Sequence, residues 1–202
     1  MVDIGNITGL RFTLSWDRGD PQGSADEATW GTIIAAIGDA EVWRSETGSL
    51  LGGVHWALIE MLEHLAWTWR FLVNEEMDPL GLALQPDQIR SEAVKRWDTL
   101  PESQRIGEQR AIKAYEESHD LARAFQGLWV PSLWVQRQGN KAWLISGTTV
   151  DCLPFTGVIA ALERLGDMIS DRVSSLSDER ATAARQAWSR RDSIDLEERI
   201  AT

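Results

Sequence analysis

Between Gly9 and Trp16 the chain reads Gly-Leu-Arg-Phe-Thr-Leu-Ser-Trp, with Leu10, Phe12 and Leu14 alternating with polar residues. A period of two sends alternate side chains to opposite faces, so this stretch predicts a half-buried strand. Asp17 to Thr29 is rich in Gly, Asp, Pro and Ser and reads as a long solvated loop. From Trp30 onward two β-compatible runs flank Gly38-Asp39, a pair suited to a tight two-residue turn, which predicts a hairpin over residues 30–37 and 40–45. A Gly- and Ser-rich link, Gly48 to Gly53, leads into Val54 to Glu75. There Trp56, Leu58, Ile59, Leu62, Leu65, Ala66, Trp69 and Leu72 fall on every face of a helix. A helix apolar nearly all round is a buried, central one.

Pro79, Gly81, Pro86 and Pro101 break residues 76–100, leaving room for a short helix from Pro86 to Trp97. Pro101 suits a first helical turn, and Glu102 complements the positive end of the helix dipole, so a helix is predicted from there to about Phe125, ended by Gly127. Ser132 to Gln136 and Lys141 to Ile145, joined through Gly139-Asn140, predict a second hairpin. After Pro154, Val158, Ile159, Leu162, Leu165, Ile169, Val173 and Leu176 recur every three or four residues opposite Glu163, Arg164, Asp167, Asp171 and Arg172, an amphipathic helix. Ser177-Asp178 can cap a further helix, but beyond it large apolar residues are few, Trp188, Ile194 and Leu196 among them, so this tail is expected to contact the core weakly. The sum is an α+β chain: antiparallel hairpins packed on a buried central helix and carboxy-terminal amphipathic helices. Residues 1–176 would form one core domain and 177–202 a charged helical tail, with the two hairpins either in one sheet or in two.

Composition narrows the setting. A chain of 202 residues buries roughly 70% of its unfolded surface and needs no disulfide or metal staple. The single Cys152 cannot form an internal bridge and is expected as a small buried thiol; with no signal-like apolar stretch ahead of Ile4 to Leu14, a cytoplasmic protein is expected. The longest apolar run, Val54 to Val73, contains His55, Glu60, Glu63, His64 and Arg70. Each central charge would cost about 2.5–3.5 kcal/mol in hydrocarbon, so the run is a core helix and no membrane contact is expected. A net charge of −11 without a compensating Lys/Arg cluster argues against direct nucleic-acid binding. Most of the eleven tryptophans are expected in the core; Trp129 and Trp134, beside Pro131, are the candidates for an aromatic binding patch.

Candidate chemistry is thin. The central helix is expected to carry both His55 and His64, which at nine positions apart face opposite sides and cannot hold one ion together. Glu60 and His64 share a face at i, i+4, but two ligands are fewer than zinc takes, so they read first as a polar pair. No His-Glu-x-x-His, Gly-x-Gly-x-x-Gly or phosphate-binding Gly-x-x-x-x-Gly-Lys-Ser/Thr occurs, and no cofactor or metal is expected. Cys152 has no histidine nearby in sequence to activate it. Glu75-Glu76, Glu116-Glu117 and Glu197-Glu198 are adjacent pairs that diverge into solvent.

Three stretches carry a resemblance: Trp30 to Ile33; the segment Trp56-Ala57-Leu58-Ile59-Glu60 running on to Trp69-Arg70-Phe71-Leu72-Val73-Asn74-Glu75-Glu76 and Pro79; and Ser118-His119-Asp120-Leu121 followed by Gly127 and Pro131-Ser132-Leu133. Over roughly residues 28–190 the chain resembles the amino-terminal accessory region that precedes the metallopeptidase module in some bacterial proteins of the ImmA/IrrE type. The segment bearing that family's zinc ligands is not in this sequence, so no catalytic residue is carried over. Only His119 and Asp120 match the most recognisable part of the accessory region, and on their own they read as a polar pair at a helix end. The resemblance implies a bacterial stress-response, toxin–antitoxin or phage-defence setting in which such a region recognises a partner.

The expectation is therefore a non-enzymatic interaction and regulatory module with a protein partner, its candidate contact residues being His119, Asp120, Trp129, Trp134, Glu60 and His64. The alternative is a small hydrolase or ligand-binding domain gathering His119, Asp120, Glu60 and His64 in one cleft, or a fragment of a longer zinc peptidase.

Overall fold

The structure is a computed structural model that describes residues 1–5, 9–43, 52–76 and 86–193. The predicted Gly48–Gly53 link and the breakers Pro79 and Gly81 fall largely or wholly outside them, as do Ile194 and Leu196 in the tail. The fold is α+β, with two antiparallel sheets.

The first sheet begins with β1 (Val2–Gly5), β2 (Leu10–Trp16) and β3 (Trp30–Ile37), each antiparallel to the last. In β2 the predicted alternation holds: Leu10, Phe12 and Leu14 are buried, while Arg11, Thr13 and Ser15 are half-exposed. Gly38 takes a positive φ of 57° in the tight turn to β4 (Ala40–Glu41), which pairs with the end of β3. Its start pairs with β5 (Val54–Ala57), so β4 and β5 flank the same edge.

The supposed loop contains α1 (Ala25–Thr29), whose start is fixed reciprocally by the Ser24 and Glu27 side chains, a capping box with little apolar content to announce it. The central helix starts later than its apolar pattern predicts: Val54–Ala57 is a strand, and α2 runs Ile59–Asn74. Thr29 makes the corner, its carbonyl accepting from Leu58 N at 3.0 Å and its hydroxyl from Ile59 N at 3.1 Å. From there α2 buries Ile59, Met61, Leu62, Leu65, Trp69 and Leu72, as a central helix should.

α3 (Pro86–Trp97) and α4 (Glu102–His119) pack together over a small core of Ala93, Ile112 and Tyr115. α4 stops six residues short of Phe125. Asp120 turns to extended backbone, and its Oδ1 accepts from Ala122 N at 3.0 Å and Leu133 N at 2.9 Å, which starts a single 3-10 turn over Leu121–Ala124. The second sheet is a meander of β6 (Trp134–Gln138), β7 (Lys141–Ser146) and an unforeseen third strand, β8 (Thr149–Pro154).

The amphipathic helix is α5 (Phe155–Arg172), burying Val158, Ala161, Leu162, Leu165, Gly166 and Ile169. It packs on β1 and β2 of one sheet and on β7 and β8 of the other, so both sheets share one hydrophobic core. Asp178 caps α6 (Glu179–Ser189) through Ala181 N. The expectation that this tail touches the core weakly is overturned: Ala181, Ala184 and Trp188 are buried, and α6 packs on α2 and α5. The Trp188 indole donates to Asp167 at 2.9 Å and meets Trp69 edge-on at 5.2 Å, while Arg191 lies over both rings.

The tryptophans are less buried than expected. Trp43, Trp69 and Trp188 are in the core; Trp16, Trp56, Trp97, Trp134 and Trp143 are half-buried; Trp30, Trp67 and Trp129 are exposed. Cys152 is half-buried because it sits on β8, the outer strand of its sheet. Among the described residues no helix is long and apolar enough to cross a membrane.

Candidate functional site

Residues 60, 63, 64 and 67 fall on one face of α2, at the spacing that aligns side chains along a helix. Glu60, Glu63, His64 and Trp67 there form a wall of a groove of about 880 Å³. The other walls come from Glu117 near the end of α4, Arg123 and Ala124 of the 3-10 turn, the Gln126-Gly127 link and Arg180 of α6. The stretch 117–127 and Arg180, both distant from α2 in sequence, thus converge on one face of the central helix.

Arg180 organises the charge. Its Nε and Nη2 donate to Glu63 at 2.7 and 2.6 Å, its Nη1 pairs with Asp26 of α1, and Glu60 stands 4.0 Å away. Hydrogen bonds donated to Glu63 outweigh partial burial and raise the Arg180 pKa further, so it is a permanent cation. Glu60 also accepts from the Trp56 indole at 2.6 Å. One guanidinium among three carboxylates leaves two negative charges uncompensated within this cluster.

His64 has the opposite character. Burial pushes its pKa down to about 4; a hydrogen bond with the Asp120 backbone works against the shift and the positive Arg123 adds to it. The ring is neutral at pH 7, and its Nε2 is buried without a hydrogen-bond partner among the described residues. Trp67 is 51% exposed, with the rings of His64 and Phe71 at 6.4 and 6.3 Å.

The other expected contact residues lie elsewhere. His119 is fully buried, stacked on Tyr115 at 4.0 Å, with Nδ1 3.0 Å from Ser118 Oγ and Nε2 3.9 Å from Glu75. Asp120 is buried and committed through Oδ1 to two backbone amides, with Oδ2 4.0 Å from Arg123. The cleft imagined from His119, Asp120, Glu60 and His64 is therefore not assembled: Glu60 and His64 share the groove, Asp120 reaches His64 only by its backbone, and His119 is held among Tyr115, Ser118 and Glu75. Of the two tryptophans expected in an aromatic patch, Trp134 is half-buried beside Tyr115 and Trp129 is 74% exposed on the link after Gly127. His55 is on β5, not on α2, and its Nε2 pairs with Asp17 at 2.9 Å.

Sequence reasoning missed Glu63 and Trp67, which the helical stripe starting at Glu60 could have revealed. Glu117, Arg123 and Arg180 carry no such signal, because only tertiary packing brings them to α2. Among the described residues no three His, Cys, Asp or Glu side chains are grouped so as to hold a metal ion. No protein family, curated protein or solved structure matches this chain.

Proposed function

We propose that the protein is a non-enzymatic interaction and regulatory module, and that the groove between α2, the end of α4 and α6 is where a partner protein docks. The observation that carries this reading is Trp67, half-exposed inside a charged concavity on a helix most of whose other apolar side chains are buried. Leaving a large aromatic in water forgoes about 1.5–3 kcal/mol of burial, and an aromatic in a pocket rimmed by polar groups is the usual anchor of a protein interface. Of the side chains an acid–base reading would require, Asp120 is committed through Oδ1 to two backbone amides and His119 is buried against Tyr115 and Ser118. The resemblance to the ImmA/IrrE accessory region supplies the setting of this proposal: recognition of a partner in bacterial stress response, toxin–antitoxin control or phage defence.

The test is affinity purification of the tagged chain from its native host, beside a Trp67→Ala variant whose far-UV circular dichroism matches the wild type. A stoichiometric partner that the variant loses is expected. A partner retained equally by both, or none at all, defeats the reading.

A further inference from the structure

The chemistry of the groove selects among possible partners. The groove lining sets three carboxylates, Glu60, Glu63 and Glu117, against two guanidiniums, Arg123 and Arg180, and Glu60 approaches Arg180 no closer than 4.0 Å. Across the groove Glu117 has Lys113 at 3.6 Å, a pair whose side chains are 43% and 72% exposed and therefore weakly coupled. Arg123, the other cation of the lining, stands beside the Asp120 carboxylate. The neutral His64 ring lines the same groove as an uncharged wall, its Nε2 buried. Trp67 adds an open, electron-rich face.

Carboxylates with spare charge beside an indole face have one common complement: a flat cation with several N–H donors. A guanidinium meets both, because it is planar, weakly hydrated and forks toward carboxylates while stacking on aromatic rings. An ammonium offers the charge without the plane. The net charge of −11 steers basic segments toward the molecule in any orientation. About 880 Å³ is room for a few side chains. We infer that the groove binds an arginine side chain presented by a basic segment of the partner protein, an assignment that rests on the docking reading above.

The experiment titrates the full chain against fluorescein-labelled hexa-arginine, with hexa-lysine and hexa-glutamate as comparisons, read by anisotropy at low and high salt. Hexa-arginine binding is expected to exceed hexa-lysine by about threefold or more and to weaken by about fivefold in Trp67→Ala and about threefold in Glu117→Gln. Glu102→Gln, which removes one charge at the far end of α4, is expected to change it by less than about twofold. Hexa-arginine binding that Trp67→Ala leaves intact, equal affinity for hexa-lysine, preference for hexa-glutamate, or no binding each overturns the assignment. If the native partner is lost on Trp67→Ala while hexa-arginine does not bind, the arginine assignment falls and the docking reading stands. A partner retained on Trp67→Ala takes both down.

Discussion

His64 is where a single side chain carries the clearest thermodynamic signature. Its ring sits in a wall of α2 where burial holds its pKa at about 4, against the ordinary 6.5. As pH falls, the unfolded chain takes up a proton at this position before the folded chain does. The folded state is therefore favoured fully above pH 6.5 and progressively less as pH falls toward 4. Between about pH 7 and about pH 5.5 the loss should be about 1 kcal/mol, before most carboxylates begin to titrate. His64→Gln keeps a neutral polar group of similar size and has no such linkage. Urea denaturation at both pH values is expected to show the wild type losing about 1 kcal/mol more than the variant; parallel pH dependence in the two would show that the ring titrates normally in the folded protein.

At the level of elements, α6 shows how a charged, alanine-rich segment becomes part of the core. Its apolar content is small, but Ala181 and Ala184 let it approach α2 closely, and Trp188 fills the space that Gly166 leaves on α5. A Cβ at Gly166 would drive into the Trp188 ring, which cannot easily yield because Trp69, Arg191 and Asp167 hold it from three directions. Gly166→Ala sets a helix-propensity gain of about 1 kcal/mol against an overpacking cost of about 1–3 kcal/mol. Net destabilisation is expected from urea melts, with the sign reversing in a Trp188→Leu background where the clash is gone. Destabilisation of equal size in both backgrounds would locate the effect elsewhere. The same helix marks the limit of what was legible. Alternation in β2, the Gly38-Asp39 turn and the spacing in α5 were readable because each is decided by neighbours in sequence. β5 was not, because a four-residue apolar strand running into an apolar helix has no period of its own. The stop of α4 at Asp120 depends on Leu133, thirteen residues on. Likewise Glu60 and His64 could be paired from one helical face, while Arg180 and Glu117 needed the fold to bring them there.

Across the whole molecule the question is whether two sheets mean two folding units. α5 answers it physically, since its buried face meets β1 and β2 on one side and β7 and β8 on the other. A second link runs through Trp43, which lies 6.2 Å from Phe12 of the first sheet and 5.4 Å from Phe125, and whose indole donates to the Pro131 carbonyl ahead of β6 at 3.0 Å. Neither sheet can lose its partner without exposing the shared core, so unfolding should be a single transition. Tryptophan fluorescence and far-UV circular dichroism are expected to give superimposable urea curves. Leu162→Ala, truncating a fully buried side chain of α5, should shift both together by about 2–5 kcal/mol. If the variant instead splits the curves, the first sheet and the meander are separable units, and the groove would have to be reassigned to the one containing α2.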